Sequence, residues 1–384
     1  MKRLFMSVII NNYNYARFLA EAIESALNQT YPSVEVIVVD DGSTDQSRQV
    51  IESYGTRVIP VFKENGGQAS AFNEAFKVSR GEIICFLDSD DALLPQAMEK
   101  VAQAFESGKY VKAHWPLRVI NEKSEWKGEV IPTQRPLEGN LRAKCLEEGP
   151  IYDWHFTPPT SGNAWAREFL KEVLPIPEVP FRLGGDEYLL SVAPIFGSIH
   201  TLEEPAGCYR THNKNHYFQK SLDTATIRLY QMRFENCCLA LRKFLKSQGV
   251  ESDLEKWKKK NFNYLWLERL LEARKDMAAL IPAEAPFVLA DQNELGPQFS
   301  QSHHRAIPFM EKENKFWGLP ADDREAVAEL ERLRKEKNAA FIVFWWAFDW
   351  WQEHYSGFRE YLQSRYKQVL ENDRLTIFDL RNSS

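Results

Sequence analysis

Acidic residues follow two apolar runs in the first hundred positions of the chain. Asp40 and Asp41 end one run, and Asp88, Asp90 and Asp91 come after another. Both runs are apolar throughout, as expected of strands covered by helices on both faces of a parallel sheet. Open α/β sheets bind ligands beyond the carboxyl ends of their strands. We therefore expect the two acidic groups to emerge at one edge of the sheet and to meet one ligand.

Asp88, Ser89 and Asp90 have the spacing of a divalent-metal site for a diphosphate. Mg²⁺ and Mn²⁺ prefer oxygen ligands and bind a few carboxylates together with phosphate oxygens. Such an ion offsets the charge that develops on a departing diphosphate. A single triplet of this kind is not specific, and a solvated acidic turn that caps a helix near Pro95 is the competing interpretation.

Strands and helices alternate around these acids. Helical spacing of apolar residues predicts four helices, and Ser43 with Gln46 has the pattern of a capping box ahead of the second. Alternation of this kind predicts the α/β class with a mostly parallel sheet. The predicted strands are 5–10, 34–39, 58–62 and 83–87, and the predicted helices are 18–28, 45–54, 68–79 and one from Pro95.

The remaining sequence divides into three kinds of segment. Residues 109–207 carry short strands, prolines and aromatic residues, with one clear helix at 186–193. Two long helices follow, and the last hundred residues have the pattern of a small α/β unit. The predicted elements are helices 223–248 and 254–280, strands 287–290, 340–344 and 375–379, and helices 322–337 and 355–366. We expect three domains, 1–215, 216–284 and 285–384.

The composition excludes several classes of protein. A content of 44% hydrophobic and 27% charged residues is ordinary for a globular chain. The formal charge of −6 gives no basic field for a nucleic-acid partner. Five scattered cysteines without a CxxC pair indicate reduced thiols. No uninterrupted apolar stretch reaches about 18 residues, and the N-terminal apolar run is too short for a signal peptide. We expect a cytoplasmic protein.

Six short motifs occur in order along the first hundred residues. They are SVIINNYN at 7–14, QTYP at 29–32, EVIVVDDGSTD at 35–45, NGG at 65–67, AFN at 71–73 and FLDSDD at 86–91. Together they closely resemble family 2 glycosyltransferases of the inverting type. The resemblance covers about residues 5–105 and extends more loosely to about 210. It implies a GT-A fold, in which a Rossmann-like, mostly parallel sheet precedes the helices and the small C-terminal α/β domain.

The resemblance also implies roles for the donor-side residues. Asn11 and Tyr13 are expected to line the nucleotide pocket, and Asp41 to hydrogen-bond the base. Asp88 is expected to face the ribose or diphosphate, and Asp90 to bind the metal, Mg²⁺ or Mn²⁺, with Asp88 as a further ligand. Ser89 lies between them in the same donor-binding triplet.

Gly67 and Asn73 are expected to let the third helix approach the donor, together with Ala71. For Gly67, a simple helix-start glycine is the competing interpretation. The sequence has Asn11-Asn12 where many relatives have Pro-Thr or Thr-Ser, a departure from the family pattern at a position expected to line the nucleotide pocket.

The reaction also needs a base that removes the proton of an acceptor hydroxyl, and a carboxylate suits this task. In the resembled family the base is an Asp at the start of a helix in the second half of the domain. GGDEYL at 184–189 fits that position and assigns the base to Asp186. Glu187 remains a substitute. The alternative is that both acids only cap a helix N-terminus.

Aromatic and histidine residues leave several alternatives open. The segment TPPTSGNAW at 157–165 resembles the loop that relatives place over the sugar, and Trp165 could stack on a pyranose or lie in the core. One of His155, His212 and His216 could add a metal or diphosphate contact. The tail tryptophans, which are Trp345, Trp346, Trp350 and Trp351, are expected to be core residues rather than glycan platforms.

The expected activity is an inverting transfer of a sugar from a nucleoside diphosphate donor, a UDP-sugar, to a hydroxyl of a glycan or lipid-linked acceptor. Peripheral association with the inner membrane face fits such an acceptor. Two alternatives remain. A catalytically silent carbohydrate-binding or scaffold protein would keep the fold, and Gly185 replaces an acid of the family pattern. A sugar-phosphate nucleotidyltransferase would need a glycine-rich basic loop after the first strand, which Asn11 and its neighbours do not supply.

Overall fold

The computed structural model describes residues 3–151, 153, 155–213, 215, 223–291, 306–348 and 350–383. The chain divides into two compact units. The first comprises 1–218 and 232–261, and the second comprises 219–231 and 262–384. Each unit is described by itself below. None of the helices in the described ranges is long and apolar enough to cross a membrane.

The first unit is built from strands and helices that alternate through its first hundred residues. Its strands are β1 Met6–Asn12, β2 Val34–Asp41, β3 Ile59–Lys63, β4 Ile83–Asp88, β5 Ala92–Leu93, β6 Tyr110–His114, β7 Leu117–Ile120, β8 Trp126–Ile131, β9 Asn163–Ala166, β10 Ser198–Thr201 and β11 Gly207–Arg210. The helices in residues 1–218 are α1 Ala16–Leu27, α2 Ser47–Ser53, α3 Gln68–Val78, α4 Ala97–Ser107, α5 Arg142–Glu148, α6 Arg167–Val173 and α7 Gly185–Val192. The four predicted strands and the helix at 186–193 are confirmed.

A seven-stranded sheet forms the centre of this unit, in the order β10-β6-β9-β4-β1-β2-β3. Strands β1 to β4 pair in parallel. Successive residues of β1 point to opposite faces, so Val8 and Ile10 pack in one apolar core while Ile9 packs in the other. The expected mostly parallel α/β sheet, covered on both faces, is confirmed.

One strand runs against the others. β9 pairs antiparallel with both β4 and β6. The first residues of β9 therefore lie at the edge where β4 and β6 end. The segment before β9, a single 3₁₀ turn at Thr160–Gly162, is placed at the same edge as the acidic residues.

A smaller sheet lies beside this edge, in the order β5-β11-β7-β8. Ala92, directly after the acidic residues of β4, pairs with Cys208 of β11. This pairing brings Arg210, the last residue of β11, and His212 after it next to Asp90 and Asp91.

The capping box predicted for α2 is wrong. The helix begins at Ser47 rather than Asp45, and the Ser43 hydroxyl accepts hydrogen bonds from Asn12 and Asn14 instead. The N-cap position is Gln46, and the Asp45 carboxylate accepts from the N–H of Ser47, the first residue of the helix. Pro95 precedes α4 rather than lying in its first turn.

Three further helices are α8 Thr224–Ser247, α9 Leu254–Lys260 and α10 Phe262–Leu280. Residues 224–231 of α8 belong to the second unit, and residues 232–247 belong to the first. The single helix predicted over 254–280 is wrong, because Asn261 is extended with ψ of 111° and ends α9.

The second unit has its own five-stranded sheet, in the order β13-β12-β16-β18-β17. Trp345 and Trp351 are buried in its core, as predicted, whereas Trp350 is 38% exposed. Its strands are β12 Phe287–Ala290, β13 Ala306–Pro308, β14 Glu311–Lys312, β15 Lys315–Phe316, β16 Phe341–Trp345, β17 Tyr366–Glu371 and β18 Leu375–Ser383, and its later helices are α11 Asp323–Glu336, α12 Trp350–His354 and α13 Ser356–Arg365. The predicted tail strands and helices are confirmed.

Candidate active site

The two acidic groups lie at the ends of β2 and β4, with β1 between them. In the register of the sheet, Asn12 is level with Asp40 and Asn11 is level with Asp88. Strands in a sheet lie about 4.8 Å apart, so the two groups are about 10 Å from each other across β1. Asn11 Nδ2 donates to Asp88 Oδ1 over 2.7 Å. The Oδ1 atom of Asn11 is buried and has no partner among the described residues.

Asp41 is enclosed by the loop that follows β3. Its carboxylate accepts from Lys63 Nζ at 2.6 Å, from Asn65 Nδ2 at 3.1 Å, and from the N–H groups of Gly66 at 2.9 Å and Gly67 at 2.7 Å. An ionised carboxylate offers about four acceptor positions. The protein therefore already occupies the positions at which a nucleotide base would bond.

Gly67 is required at the start of α3 for two physical reasons. Its φ of 88° lies in the region that favours glycine, and a Cβ there would lie 2.3 Å from the carbonyl oxygen of Arg182. The same carbonyl accepts from the Gln68 N–H at 2.7 Å. The segment before Asp186 thus packs directly on the loop that holds Asp41.

The turn from Asp88 to Asp91 is held by a buried arginine from the end of β11. Arg210 Nε donates to the carbonyl of Asp90 at 2.7 Å, and the Arg210 N–H donates to Asp91 Oδ1 at 2.9 Å. Its guanidinium also forms an ion pair with Glu21 at 2.6 Å. Arg210 thus fixes the acidic turn through the backbone carbonyl of Asp90 and the carboxylate of Asp91.

The carboxyl groups of this turn are crowded. Burial and the nearby charge of Asp90 raise the pKa of Asp88 to about 7, and hydrogen bonds from Asn11 and Thr160 oppose that rise. Burial, followed by the charges of Asp90 and Asp88, raises the pKa of Asp91 well above its ordinary value. Negative charge at this edge is therefore only partly compensated by the protein itself.

His212 lies against Asp90. Its Nε2 is 3.0 Å from Asp90 Oδ2, and its ring packs between Tyr15 and Phe18, with centroids 5.5 and 5.1 Å away. Of the three histidines considered from sequence, His212 is the one that meets the acidic turn. His155 has its N–H bonded to Asp153, and His216 lies outside the described residues.

Asp186 lies in the first turn of α7 and reaches the same edge from the other side. Thr160 Oγ1 donates to Asp186 Oδ2 over 2.9 Å. Burial raises the pKa of Asp186 above its ordinary value, although the Thr160 hydrogen bond and the charge of Arg233 act in the opposite direction. The neighbouring Glu187 is instead paired with Arg233, at 2.7 and 2.9 Å.

The turn at Thr160 and Ser161 connects Asp186 to the acidic turn. Ser161 Oγ donates to Asp91 Oδ2 at 2.6 Å and accepts from the Asp88 N–H at 3.1 Å. Asp88, Asp91 and Asp186 are thus joined through two consecutive residues that precede β9. This linkage places an acid from α7 beside acids from the end of β4.

The remaining residues predicted for the site lie in different surroundings. Ser89 is buried within the acidic turn, and Tyr13 is 46% exposed after β1. Asn73 is buried on α3, where its carboxamide bonds both the N–H and the carbonyl of Ile176. Trp165 is 1% exposed and packs in the core against Phe169, so it cannot stack on a sugar.

The donor set of the acidic turn fits a cation that arrives with a diphosphate. Asp88 and Asp90 offer hard oxygen ligands, and burial together with the charge of Asp90 raises the pKa of Asp88. No group of three or more His, Cys, Asp or Glu in the described part of the chain is arranged to hold a metal alone. Mg²⁺ usually binds through one or two carboxylates together with substrate phosphates, which is the set available here.

Sequence reasoning missed several residues of this site, above all Thr160, Ser161, Arg210 and Gln68. Arg210 contacts Glu21, 189 positions away, and no local pattern reports such a contact. A weak signal was present for Thr160, since its loop belongs to a motif already noted for the resemblance.

Comparisons with known proteins agree with the motifs. The sequence model of the family described as Glycosyl transferase family 2 matches residues 7–172. An uncharacterized glycosyltransferase of Nostoc sp. is 37% identical over 224 residues, which cover 57% of this chain and 69% of the relative. An uncharacterized glycosyltransferase of Rickettsia typhi is 39% identical over 132 residues, which cover 34% of this chain and 42% of the relative. The chain thus spans less than half the length of the second relative.

Among solved structures, Staphylococcus aureus TarS 1–349 in complex with UDP-GlcNAc has a TM-score of 0.46 and 20% identity, covering 73% of this chain and 85% of that one. The bound UDP-GlcNAc is a property of that protein. The extent of the match to the Nostoc relative, together with the family match over the sheet and its acidic edge, shows that this chain belongs to glycosyl transferase family 2 and is a glycosyltransferase.

Proposed function

We propose that this protein transfers a sugar from a nucleoside diphosphate donor, a UDP-sugar, to an acceptor hydroxyl with inversion at the anomeric carbon. The proposal is supported by one observation. Asp88 and Asp186 are both hydrogen-bonded to the turn at Thr160 and Ser161, at the carboxyl edge of the sheet. One acid serves the departing diphosphate, and the other serves the attacking hydroxyl.

On the donor side, Asn11 and Tyr13 line the nucleotide pocket, and the unpartnered Oδ1 of Asn11 accepts a hydrogen bond from the ribose or base. Asp41 holds the base, which requires the base to share or displace one of the donors from the 63–67 loop. Asp88 and Asp90 hold a divalent cation, Mg²⁺ or Mn²⁺. When bound, that cation neutralises charge on the diphosphate as it leaves.

On the acceptor side, Asp186 is the base. The acceptor oxygen attacks the anomeric carbon from the face opposite the diphosphate, and its proton passes to the Asp186 carboxylate. A new carbon–oxygen bond forms, and the bond to the diphosphate breaks with its electron pair on the diphosphate oxygen. Asp186 suits this role better than Glu187, because Glu187 is held by Arg233 in a two-bonded ion pair.

The acceptor is a hydroxyl of a glycan or of a lipid-linked sugar, in keeping with the family resemblance. Water substitutes for it in an assay without acceptor, since water also offers a proton to Asp186. UDP release from a UDP-sugar is therefore a measurement that does not depend on the natural acceptor.

The first experiment is a thermal-shift screen of UDP-sugars and GDP-sugars with Mn²⁺, followed by measurement of UDP release. A true donor raises the melting temperature by mass action, and EDTA abolishes UDP release. Asp186→Asn lowers UDP release by at least about a hundredfold while UDP still binds. Full activity in EDTA contradicts the metal role of Asp88 and Asp90, and an active Asp186→Asn variant contradicts the assigned base.

A further inference from the structure

We propose that Gln68 is a positioning residue for the base: it fixes the direction of the Thr160 hydroxyl, and that hydroxyl in turn holds the Asp186 carboxylate in place. The inference adds a residue of α3 that acts on the base through another side chain. It rests on the proposed function, which supplies the role of Asp186.

The direction of the hydrogen bonds is set at the start of α7. The Gly185 N–H can only donate, and its acceptor is Gln68 Oε1 at 2.9 Å. The carboxamide therefore presents its nitrogen to Thr160, and Gln68 Nε2 donates to Thr160 Oγ1 at 3.2 Å. Because the Thr160 oxygen accepts this bond, its own proton is directed to Asp186 Oδ2, 2.9 Å away. Hydrogen bonds that run in one direction polarise and strengthen one another.

Gln68 and Asp186 are also held from outside this hydrogen-bond chain. The Gln68 N–H donates to the Arg182 carbonyl at 2.7 Å. Asp186 Oδ1 accepts from the Glu187 N–H at 2.9 Å, so each oxygen of its carboxylate has a donor. A carboxylate has about four acceptor positions, so positions remain for the proton of an acceptor hydroxyl. The two donors determine where those positions point.

The backbone around these groups is closely packed. Thr160 is 4% exposed, and Asn163 Nδ2 donates to the carbonyl of Pro159 at 2.7 Å. A Cβ on Gly185 would lie 3.2 Å from the Cα of Ala69, so α7 begins in direct contact with α3. Loss of one hydrogen bond from the hydrogen-bond chain is therefore expected to change the orientation of the hydroxyl and the carboxylate rather than the path of the backbone.

Removal of the Thr160 hydroxyl tests the last bond of the hydrogen-bond chain. Thr160→Val lowers the turnover number for UDP release by at least about tenfold, since the base loses one of the donors that orient it. Its KM for the UDP-sugar and its Kd for UDP with Mn²⁺ remain within about twofold of the unmutated protein, as expected for an interaction that acts on the chemical step. Thr160→Ser keeps the hydroxyl and restores turnover.

Gln68→Glu tests the direction of the hydrogen bonds. The new carboxylate still accepts from the Gly185 N–H but cannot donate, so it draws the Thr160 proton away from Asp186. The turnover number is expected to fall by at least about tenfold, with the KM for the UDP-sugar and the Kd for UDP within about twofold of the unmutated protein.

Gln29→Glu is the matched control. Gln29 Oε1 accepts from the Met98 N–H at 2.9 Å, and its Nε2 donates to the carbonyl of Leu94 at 2.9 Å. The substitution removes a donor in the same way at a glutamine that connects the end of α1 to α4. This variant keeps normal turnover.

A combined variant tests whether Gln68 acts through Thr160. Gln68→Met removes both hydrogen bonds of the carboxamide and lowers turnover while the Thr160 hydroxyl is present. In a protein that already carries Thr160→Val, the same substitution causes no further loss of turnover, because no hydroxyl remains for Gln68 to direct.

Four results overturn the inference. They are normal turnover of Thr160→Val or Gln68→Glu, a Thr160→Ser variant as slow as Thr160→Val, loss of UDP binding together with turnover, and effects of Gln68→Met and Thr160→Val that multiply in the combined variant. Normal turnover of Asp186→Asn contradicts the proposed function itself, and this inference with it. If Asp186→Asn is slow, the variants of Gln68 and Thr160 decide this inference alone.

Discussion

At the scale of single residues, the surroundings of Asp186 bear on the pH dependence of the reaction. Burial raises the pKa of this carboxyl, against the hydrogen bond from Thr160 and the charge of Arg233. Asp88, on the facing end of β4, adds a like charge, and Lys112 on β6 feels the charge of Asp186 from within the core. Asp186 is therefore a weaker acid than a solvent-exposed aspartate.

The turnover number is predicted to fall with decreasing pH, and the fall is expected at a pH above the ordinary pKa of an aspartate. Asp186 accepts a proton only when it is ionised, so UDP release falls as the pH drops through its raised pKa. The measurement is the turnover number for UDP release at saturating donor over a series of acidic pH values. Glu187→Gln, which leaves Asp186 in place, serves as the control. A rate that stays constant down to the ordinary value of 3.8 contradicts the assignment.

Several residues of the site could be identified from sequence, and others could not. Asp41, Asp88, Asp90 and Asp186 stand in motifs or at strand ends, where carboxylates have no place in an apolar core. Thr160 lies in a loop motif noted from the sequence, but its contact with Asp186 in α7 joins residues 26 positions apart and leaves no local pattern. The loop around Asp41 was equally hidden, since its four hydrogen bonds come from residues 22 to 26 positions further along.

At the scale of elements, the end of β11 determines the shape of the turn after β4. Arg210 is 1% exposed and binds the carbonyls of Asp90 and Asn121, together with Glu21. A guanidinium can hold several acceptors in fixed directions, whereas an ammonium cannot. Replacing the arginine should therefore disturb the acidic turn even though the charge is kept.

Arg210→Lys is predicted to lower the free energy of unfolding of the first unit by about 2–4 kcal/mol and to weaken UDP binding in Mn²⁺. Chemical denaturation and calorimetric titration measure the two effects. Arg118→Lys on β7 is the control, since Arg118 is exposed and packs over Trp126. Equal effects in the two variants would show that the contacts of Arg210 do not hold the turn.

Element boundaries were predicted well where an apolar pattern is strong and less well where side chains compete for the backbone. The break between α9 and α10 had a signal in the sequence. Three lysines, Lys258 to Lys260, lie in the last turn of α9 and are followed by Asn261. Basic residues in a last turn and a following Asn are common at helix ends. The apolar spacing of 254–280 nevertheless predicts one continuous helix, so this end signal was outweighed.

At the scale of the whole chain, each unit has its own apolar core. The core of the second unit gathers residues from β12, β16, β18 and the helices around them, together with Ile227. Three cores belong to the first unit, one on each face of the large sheet and one around Trp257. The order of strands in these sheets, and the reversal of β9, could not be read from the sequence, because pairing partners leave no local pattern.

Scanning calorimetry is predicted to show two unfolding transitions rather than one, because a chain with separate cores departs from two-state behaviour. UDP with Mn²⁺ should shift only the transition of the first unit, since the proposed site consists entirely of its residues. Arg210→Lys identifies that transition by lowering it alone. A single transition that moves as a whole with UDP contradicts this prediction.

The reversed direction of β9 has a consequence for engineering. The strand lies in the middle of the sheet, paired with β4 on one side and β6 on the other. The chain that leads into it is therefore held in position from Asn163 onward. The stretch between β8 and Pro158 leads into the turn at Thr160–Gly162, and its Gly139 forms an isolated antiparallel bridge with Ile199 of β10. Grafting that stretch from a relative, with the junctions at Ile131 and Pro158, should exchange the chain that leads into the turn before β9 while β9 and β4 keep their places in the sheet.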